Sequence, residues 1–200
     1  MNYDIFACGV GGQGILSITD ILCIAAVDNG IKVRGSETHG MSQRFGTVFA
    51  TVRFGDVYST LIAERSADVV IGMEPVETIR YSKFIKPDGF FIMNTQPIPS
   101  PASILSKSPY PSLNAIIDAL KKYTSADRVI AFNATELAQN LGATIVQNII
   151  LLGALQKLPN FPLSKDSLIN AIKRQLKPEF HALNEEAFEI GEQKVKELLK

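Results

Sequence analysis

The sequence predicts an α/β fold: a doubly wound, mostly parallel (mixed) sheet with an inserted antiparallel hairpin and C-terminal helices. Short apolar runs rich in β-branched residues alternate with amphipathic segments, which is typical of parallel strands joined by crossover helices. A glycine cluster separates the first such run from the first helical pattern. The stretch 47–61 breaks the alternation, because two β-rich runs meet at Gly55-Asp56 and so predict a hairpin.

The composition predicts one ordinary domain. The chain has 200 residues, 46% of them hydrophobic and 20% charged, so we expect a single domain over 1–200 with C-terminal helices from about residue 143. Lys plus Arg equals Asp plus Glu at 20 each, which argues against nucleic acid or an anionic membrane as partner. The first residues resemble no secretory signal and no apolar run could span a bilayer, so we expect a cytoplasmic protein.

The first unit reads as strand, glycine loop and helix. Residues 5–8 are apolar, and a helical pattern starts at Ile15. Between them Gly9, Gly11 and Gly14 fit G-x-G-x-x-G, in which glycine allows a sharp turn and close approach of a ligand. The N–H groups at the helix start would face a phosphate or another anion. A loop of this kind also serves simply to pack a helix tightly on a strand.

Gly12 and Gln13 are two further residues of interest in the same loop. Gln13 places an amide that can donate and accept at the mouth of the loop, either for a ligand or as a cap of the helix. The candidate binding residues of this loop are Gly9, Gly11, Gly12, Gln13 and Gly14.

The remaining elements follow from runs, caps and breakers. Pro75 fits the first turn of a helix, and the Glu74 carboxylate would lie at its N-terminus, where it is stabilised without any function. Asn133 and Glu136 resemble a capping box, and Ser164 fits an N-cap. The five prolines of 96–111 predict a loop. Further strands are predicted over 31–35, 47–54, 57–61, 67–73, 89–94 and 128–132. Further helices are predicted over 74–84, 113–123, 133–142, 144–158, from 164, and over 180–198.

A polar stretch at 36–46 has neither a helical nor a strand period. We take Glu37, His39, Gln43 and Arg44 from it as candidate binding residues. His39 could contact a ligand or only hydrogen-bond the loop, and we favour binding. Arg44 could hold an anion or form a surface salt bridge.

We assign no catalytic residue and no metal site from the sequence. Cys8 and Cys23 are expected to be reduced thiols in the first strand and helix, and two thiols cannot hold an iron–sulfur cluster or zinc by themselves. An NADP-binding oxidoreductase is one alternative, because Arg34 and Glu37 stand about where a Rossmann fold contacts the ribose. The weakness of this alternative is that the predicted sheet uses the whole chain and leaves no substrate domain with an acid or base.

Four stretches together resemble the gamma-type module of the 2-oxoacid:ferredoxin oxidoreductases, most closely its indolepyruvate members. They are Gly-Val-Gly-Gly-Gln-Gly at 9–14, Gly-Ser-Glu-Thr-His-Gly-Met-Ser-Gln-Arg at 35–44, Val-Arg-Phe-Gly at 52–55, and Ala-Asp-Val-Val-Ile-Gly-Met-Glu-Pro at 67–75. The resemblance covers most of the chain in the same order. It is weakest over 98–122 and at the C-terminus.

The resemblance implies a Rossmann-like small subunit of a hetero-oligomer. Such enzymes decarboxylate a 2-oxoacid oxidatively on thiamine diphosphate with Mg²⁺, pass electrons through 4Fe–4S clusters to ferredoxin, and release an acyl-CoA. The large (alpha) subunit would carry the thiamine diphosphate and the clusters, while this chain by itself would bind no cofactor and be inactive. The small subunit would help to form the coenzyme A site. The alternative from another class is a non-catalytic interaction subunit whose glycine loop is purely architectural.

Overall fold

The computed structural model describes residues 2–38, 46–99, 104–105 and 109–199. Its strands are β1 (Tyr3–Val10), β2 (Val33–Glu37), β3 (Thr47–Phe54), β4 (Ala67–Gly72), β5 (Ile85–Asn94) and β6 (Val129–Phe132). Its α-helices are α1 (Ile15–Asp28), α2 (Pro75–Arg80), α3 (Leu113–Leu120), α4 (Ala134–Asn140), α5 (Gln147–Gln156), α6 (Lys165–Gln175) and α7 (His181–Leu198). Short 3-10 turns lie at Ser82–Phe84, Ala126–Arg128, Thr144–Val146 and Pro178–Phe180.

The described strands form one mixed sheet in the order β2-β3-β1-β4-β5-β6. β1, β4, β5 and β6 are parallel, and β3 runs antiparallel to both of its neighbours, β1 and β2. The predicted fold class, a mostly parallel mixed sheet with an inserted antiparallel pair and C-terminal helices, is therefore confirmed.

The prediction of a second hairpin strand over 57–61 is wrong. Residues 57–61 form no strand, and the antiparallel partner of β3 is β2 instead. Side chains of β3 hold the following segment as a loop: Arg53 donates to the carbonyls of Ser59 and Leu61, and Thr51 Oγ1 donates to the Thr60 carbonyl at 2.8 Å. Those carbonyls are satisfied locally, so the segment needs no strand partner.

Other element boundaries also shift. The helix predicted over 74–84 ends at Arg80 and is followed by the 3-10 turn, and β5 begins at Ile85 rather than residue 89. The caps at Asn133 and Ser164 are confirmed, because their side chains accept from the Glu136 and Ser167 N–H groups.

Both faces of the sheet are covered, and β1 is buried along its whole length. The larger core joins one face to α1, α5, α6 and α7, while the smaller one joins the other face to α2 and α3. α5 is buried on nearly every side and packs on α7 through glycines. A Cβ at Gly153 would come within 2.0 Å of the Phe188 carbonyl oxygen, and one at Gly191 within 1.9 Å of the Ile150 carbonyl oxygen. None of the described helices has the length and apolarity needed to cross a bilayer.

Candidate functional site

The candidate site lies at the carboxyl ends of the parallel strands. The chain leaves β1 toward α1 on one face of the sheet and leaves β4 toward α2 on the other face. Neighbouring parallel strands whose connections diverge in this way leave a crevice between them, where ligands of open α/β sheets usually bind. The loop Gly11–Gly14 and residues Met73 and Glu74 form the two sides of this crevice.

Gln13 closes the crevice rather than opening toward solvent. Its side chain is buried, its Oε1 accepts from the Val10 N–H at 2.8 Å, and its Nε2 donates to the Met73 carbonyl at 2.7 Å. Gly9 leaves room for this amide, since a Cβ there would lie 2.7 Å from Gln13 Oε1 and from Met73 Cβ. Gly9 and Gln13 therefore shape the loop, because the Gln13 amide accepts one hydrogen bond from β1 and donates one to the Met73 carbonyl.

No side chain among the described residues caps the start of α1. The helix has no side-chain cap and no acidic residue in its first turn, and its backbone bonding begins with Ile18 N–H to the Gly14 carbonyl at 3.3 Å. Within the residues described, the N–H groups of Ile15 and Leu16 meet no acceptor. Such groups, with the positive end of the helix dipole, favour an anion.

Gly12 and Gly14 are the two glycines of this loop with positive φ, +96° and +83° respectively. Gly12 is exposed, and nothing lies within 4 Å of the place where its Cβ would be. A Cβ at Gly14 would instead meet Asn148 Nδ2 at 2.7 Å. Gly14 is therefore fixed by packing against α5, while Gly12 faces open space above the loop.

The polar stretch is anchored beside this loop at both ends. Thr38 follows β2 and bonds the Phe49 carbonyl through its N–H and its Oγ1, and the Gly46 carbonyl accepts from the Gly11 N–H at 3.0 Å. His39, Gln43 and Arg44 lie outside the described residues. Glu37 lies at the end of β2, where its Oε1 accepts from Thr19 Oγ1 on α1 at 2.9 Å.

A buried amide network behind the loop was not predicted from the sequence. Asn94, at the end of β5, donates to the Met73 carbonyl at 3.2 Å and to Thr135 Oγ1 at 2.9 Å, and its Oδ1 accepts from the Ala134 N–H at 3.0 Å. Thr135 Oγ1 donates to Gln147 Oε1 at 2.6 Å. The Met73 carbonyl thus accepts from both Gln13 and Asn94, and this shared acceptor joins the glycine loop to α4 and α5.

Glu74 caps α2, as the sequence indicated for a carboxylate at a helix start. Its Oε2 accepts from the Glu77 N–H at 2.9 Å, and its Oε1 accepts from the Ile98 N–H and the Tyr110 hydroxyl. Burial and the hydrogen bond to Glu74 raise the pKa of Tyr110. The carboxylate therefore has three donors and holds both ends of the proline-rich loop near the crevice, which is a structural task.

The geometry weakens the NADP alternative. In the sheet, Arg34 pairs with Arg53 of β3, and Arg53 pairs with Asp4 of β1. Arg34 is therefore level with the end of β1 that is far from the glycine loop. Six residues of strand, about 20 Å, separate that level from Val10. β3 also lies between β1 and β2, so the end of β2 is one strand further from the loop than in a dinucleotide-binding fold.

Both cysteines are free thiols, Cys8 buried and Cys23 half-buried. Burial, followed by the nearby carboxylates of Glu77 and Glu74, raises the pKa of Cys8 well above its usual value. Burial and the neighbouring Asp20 raise the pKa of Cys23 to about 11. Across the described part of the chain, no three His, Cys, Asp or Glu side chains are grouped so that they could hold a metal ion.

Known proteins share both the sequence and the fold. The profile of the family described as pyruvate ferredoxin/flavodoxin oxidoreductase matches residues 4–193. The indolepyruvate oxidoreductase subunit IorB of Thermococcus kodakarensis is 42% identical over 202 residues, covering 99% of this chain and 98% of that protein.

Two solved structures have the same fold. The gamma subunit of a keto/oxoacid ferredoxin oxidoreductase from Geobacter sulfurreducens superposes with a TM-score of 0.71 at 24% identity, covering 98% of this chain and 99% of that one. The 2-oxoglutarate:ferredoxin oxidoreductase of Magnetococcus marinus, solved with 2-oxoglutarate, coenzyme A and succinyl-CoA bound, gives a TM-score of 0.75 at 20% identity. The match covers 98% of this chain and 31% of that one.

The chain belongs to the pyruvate ferredoxin/flavodoxin oxidoreductase family, as a small subunit of the 2-oxoacid:ferredoxin class. Within that family it groups with the IorB subunits of indolepyruvate oxidoreductases, four of which are 39–42% identical to it over nearly the full length. The resemblance noted in the sequence is confirmed.

Proposed function

We propose that this chain works in a hetero-oligomer that oxidatively decarboxylates an aryl pyruvate to an acyl-CoA, and that its glycine loop contributes to the coenzyme A site. The large subunit would supply thiamine diphosphate, Mg²⁺ and the 4Fe–4S clusters, and the electrons would leave to ferredoxin. The observation that carries the role of the loop is the uncapped start of α1 beside Gly12, which faces open space.

The loop suits a phosphate group of coenzyme A. The N–H groups of Ile15 and Leu16 can donate to phosphate oxygens, and the helix dipole adds a favourable field for negative charge. The N–H groups of Gly11 and Gln13 are already bonded, to the Gly46 and Val10 carbonyls, so they hold the loop in shape. The contribution of the loop would be binding and orientation rather than proton transfer.

The polar stretch would complete the site in the assembled enzyme. Its anchors, Thr38 and Gly46, lie at the same end of the strands as the glycine loop. We therefore assign Glu37, His39, Gln43 and Arg44 to the side that faces the large subunit and its substrates. Exposed apolar side chains at Leu16 and Ile145, near the starts of α1 and α5, fit a protein contact around that site.

A pair of glycines gives the experiment a matched control. Gly12 and Gly30 flank α1 at its two ends, both have positive φ, and a Cβ at either would meet no atom within 4 Å. Gly12→Asp and Gly30→Asp therefore both place a side chain at a positive φ and add the same charge, at the start and at the end of the helix. Gly12→Asn adds the same bulk without the charge.

In the assembled complex, Gly12→Asp should raise the Michaelis constant for coenzyme A about tenfold or more, because its carboxylate competes for the anion site. Gly12→Asn should raise it less, and Gly30→Asp should leave it near the parent value. Decarboxylation without coenzyme A should survive in all three. If Gly12→Asp assembles and titrates coenzyme A like the parent, the loop is not part of the site. If the two aspartate variants lose assembly equally, with coenzyme A dependence unchanged, only the interaction-subunit alternative is left.

A further inference from the structure

Among the residues that the structure describes, β2 pairs only with β3, so its outer edge is open, and the backbone groups on that edge follow a regular alternation. The Lys32 carbonyl accepts from the Gly55 N–H, and the Thr38 N–H donates to the Phe49 carbonyl. In an antiparallel ladder, the even-numbered residues between them then direct their N–H and C=O groups toward β3. The backbone groups of Val33, Gly35 and Glu37 point away from the sheet.

A cleft of about 570 Å³ lies at the amino end of this edge. Its walls include Ile31, Val33 and Arg34, with Val27 and Tyr58 at its rim. The rim side chains are strongly exposed, Val27 at 66% and Tyr58 at 92%. An apolar side chain of an added strand would cover part of this surface.

Arg34 provides a charge without a counterion. Among the residues that the structure describes, its guanidinium has no hydrogen-bond or ion-pair partner, whereas Lys32 on the same face pairs with Asp56 at 2.8 Å and Arg53 pairs with Asp4 at 2.8 Å. The even-numbered side chains of β2 face away from α1, because a Cβ at Gly35 would point at Cys23 on α1. Arg34 is thus free to meet a carboxylate on that face.

We propose that the β2 edge binds an extended segment of another polypeptide as an added strand, with an acidic side chain on Arg34 and an apolar one in the cleft. Strand addition of this kind obtains affinity from main-chain hydrogen bonds and selectivity from alternate side chains. The cleft and Arg34 lie at the opposite end of the strands from the glycine loop, and the proposal does not depend on the function proposed for that loop. A second copy fits less well, since an antiparallel pair centred on Gly35 would place Arg34 opposite Ser36 and leave the guanidinium without a carboxylate.

The test uses the full chain and two capped peptides of seven residues, alternating valine and threonine, with aspartate or lysine at the centre. Amide exchange, followed by NMR, should slow at Val33, Gly35 and Glu37 when the aspartate peptide is added. It should not slow further at Arg34 and Ser36, whose N–H groups are already bonded to β3. The aspartate peptide should bind about threefold more tightly than the lysine peptide, because an exposed ion pair contributes little.

Arg34→Gln should abolish that preference while the amides of Thr38 and Phe49 keep their chemical shifts, which shows that the β2–β3 pair is intact. The proposal would be overturned by equal affinity for the two peptides, or by exchange that slows at Arg34 and Ser36 as much as at Val33, Gly35 and Glu37. It would also be overturned if no amide signal changed saturably as peptide is added. A dimer seen by sedimentation without peptide, with the same three amides protected and no sensitivity to Arg34→Gln, would also overturn it in favour of a second copy.

Discussion

Replacing Gln13 tests whether its buried amide holds the glycine loop in place. Gln13→Ala removes the acceptor of the Val10 N–H and one of the two donors to the Met73 carbonyl. A buried N–H without an acceptor costs about 1–3 kcal/mol, and the lost bond to Met73 about 1 kcal/mol more. Unfolding free energy should therefore fall by about 2–4 kcal/mol, and the melting temperature by about 4–16 °C for a chain of this size.

The assay is thermal and urea unfolding of the isolated chain, with two controls. Gln13→Met keeps most of the side-chain volume but neither hydrogen bond, so it should lose nearly as much stability as Gln13→Ala. Gln193→Ala removes an exposed amide on α7 and should change the free energy by less than about 0.5 kcal/mol. If Gln13→Ala melts within a degree of the parent, the two hydrogen bonds of the Gln13 amide do not stabilise the loop.

Three further predictions concern packing, pH and the polar stretch. Gly191→Ala should cost about 3 kcal/mol in urea unfolding, because its Cβ would meet backbone atoms of α5 that no rotamer change can move; an unchanged midpoint would contradict the close packing. The thiol pKa values of Cys8 and Cys23 are raised in the folded chain, so stability should be full below about pH 8.5 and fall toward pH 11, as unfolded thiols ionise first. Cys8→Ala should flatten that fall in urea titrations at pH 8, 9 and 10, and an equal slope would contradict it. His39→Ala should leave the melting temperature unchanged and lower turnover of the assembled complex, whereas parent-like rates would make His39 architectural.

Local signals in the sequence predicted local structure well. The strand–glycine–helix unit, the caps at Asn133 and Ser164, and the carboxylate cap at Glu74 all depend on residues within a few positions of one another. The family followed from four stretches whose residue types, order and spacing occur together. Each of these features can be read without knowledge of which distant segments meet.

What the sequence missed depends on contacts between distant residues. β3 inserts between β1 and β2. The alternating residues of β3 predict a strand but not its partner, and residues 57–61 formed an equally regular candidate. Gln13 looked available to a ligand because its acceptor, the Met73 carbonyl, is sixty residues away. Asn94 gave no signal in the sequence for the same reason, because Thr135 and Gln147 reach it only in the folded chain.

We propose that the uncapped start of α1 holds a phosphate of coenzyme A in the assembled enzyme. The structure of this chain with its large subunit and bound coenzyme A would show that contact itself. We expect a phosphate oxygen within about 3 Å of the backbone nitrogen of Ile15 or Leu16, with Gln13 still bonded to Met73. Coenzyme A bound entirely by the large subunit, with the glycine loop buried against protein alone, would contradict it.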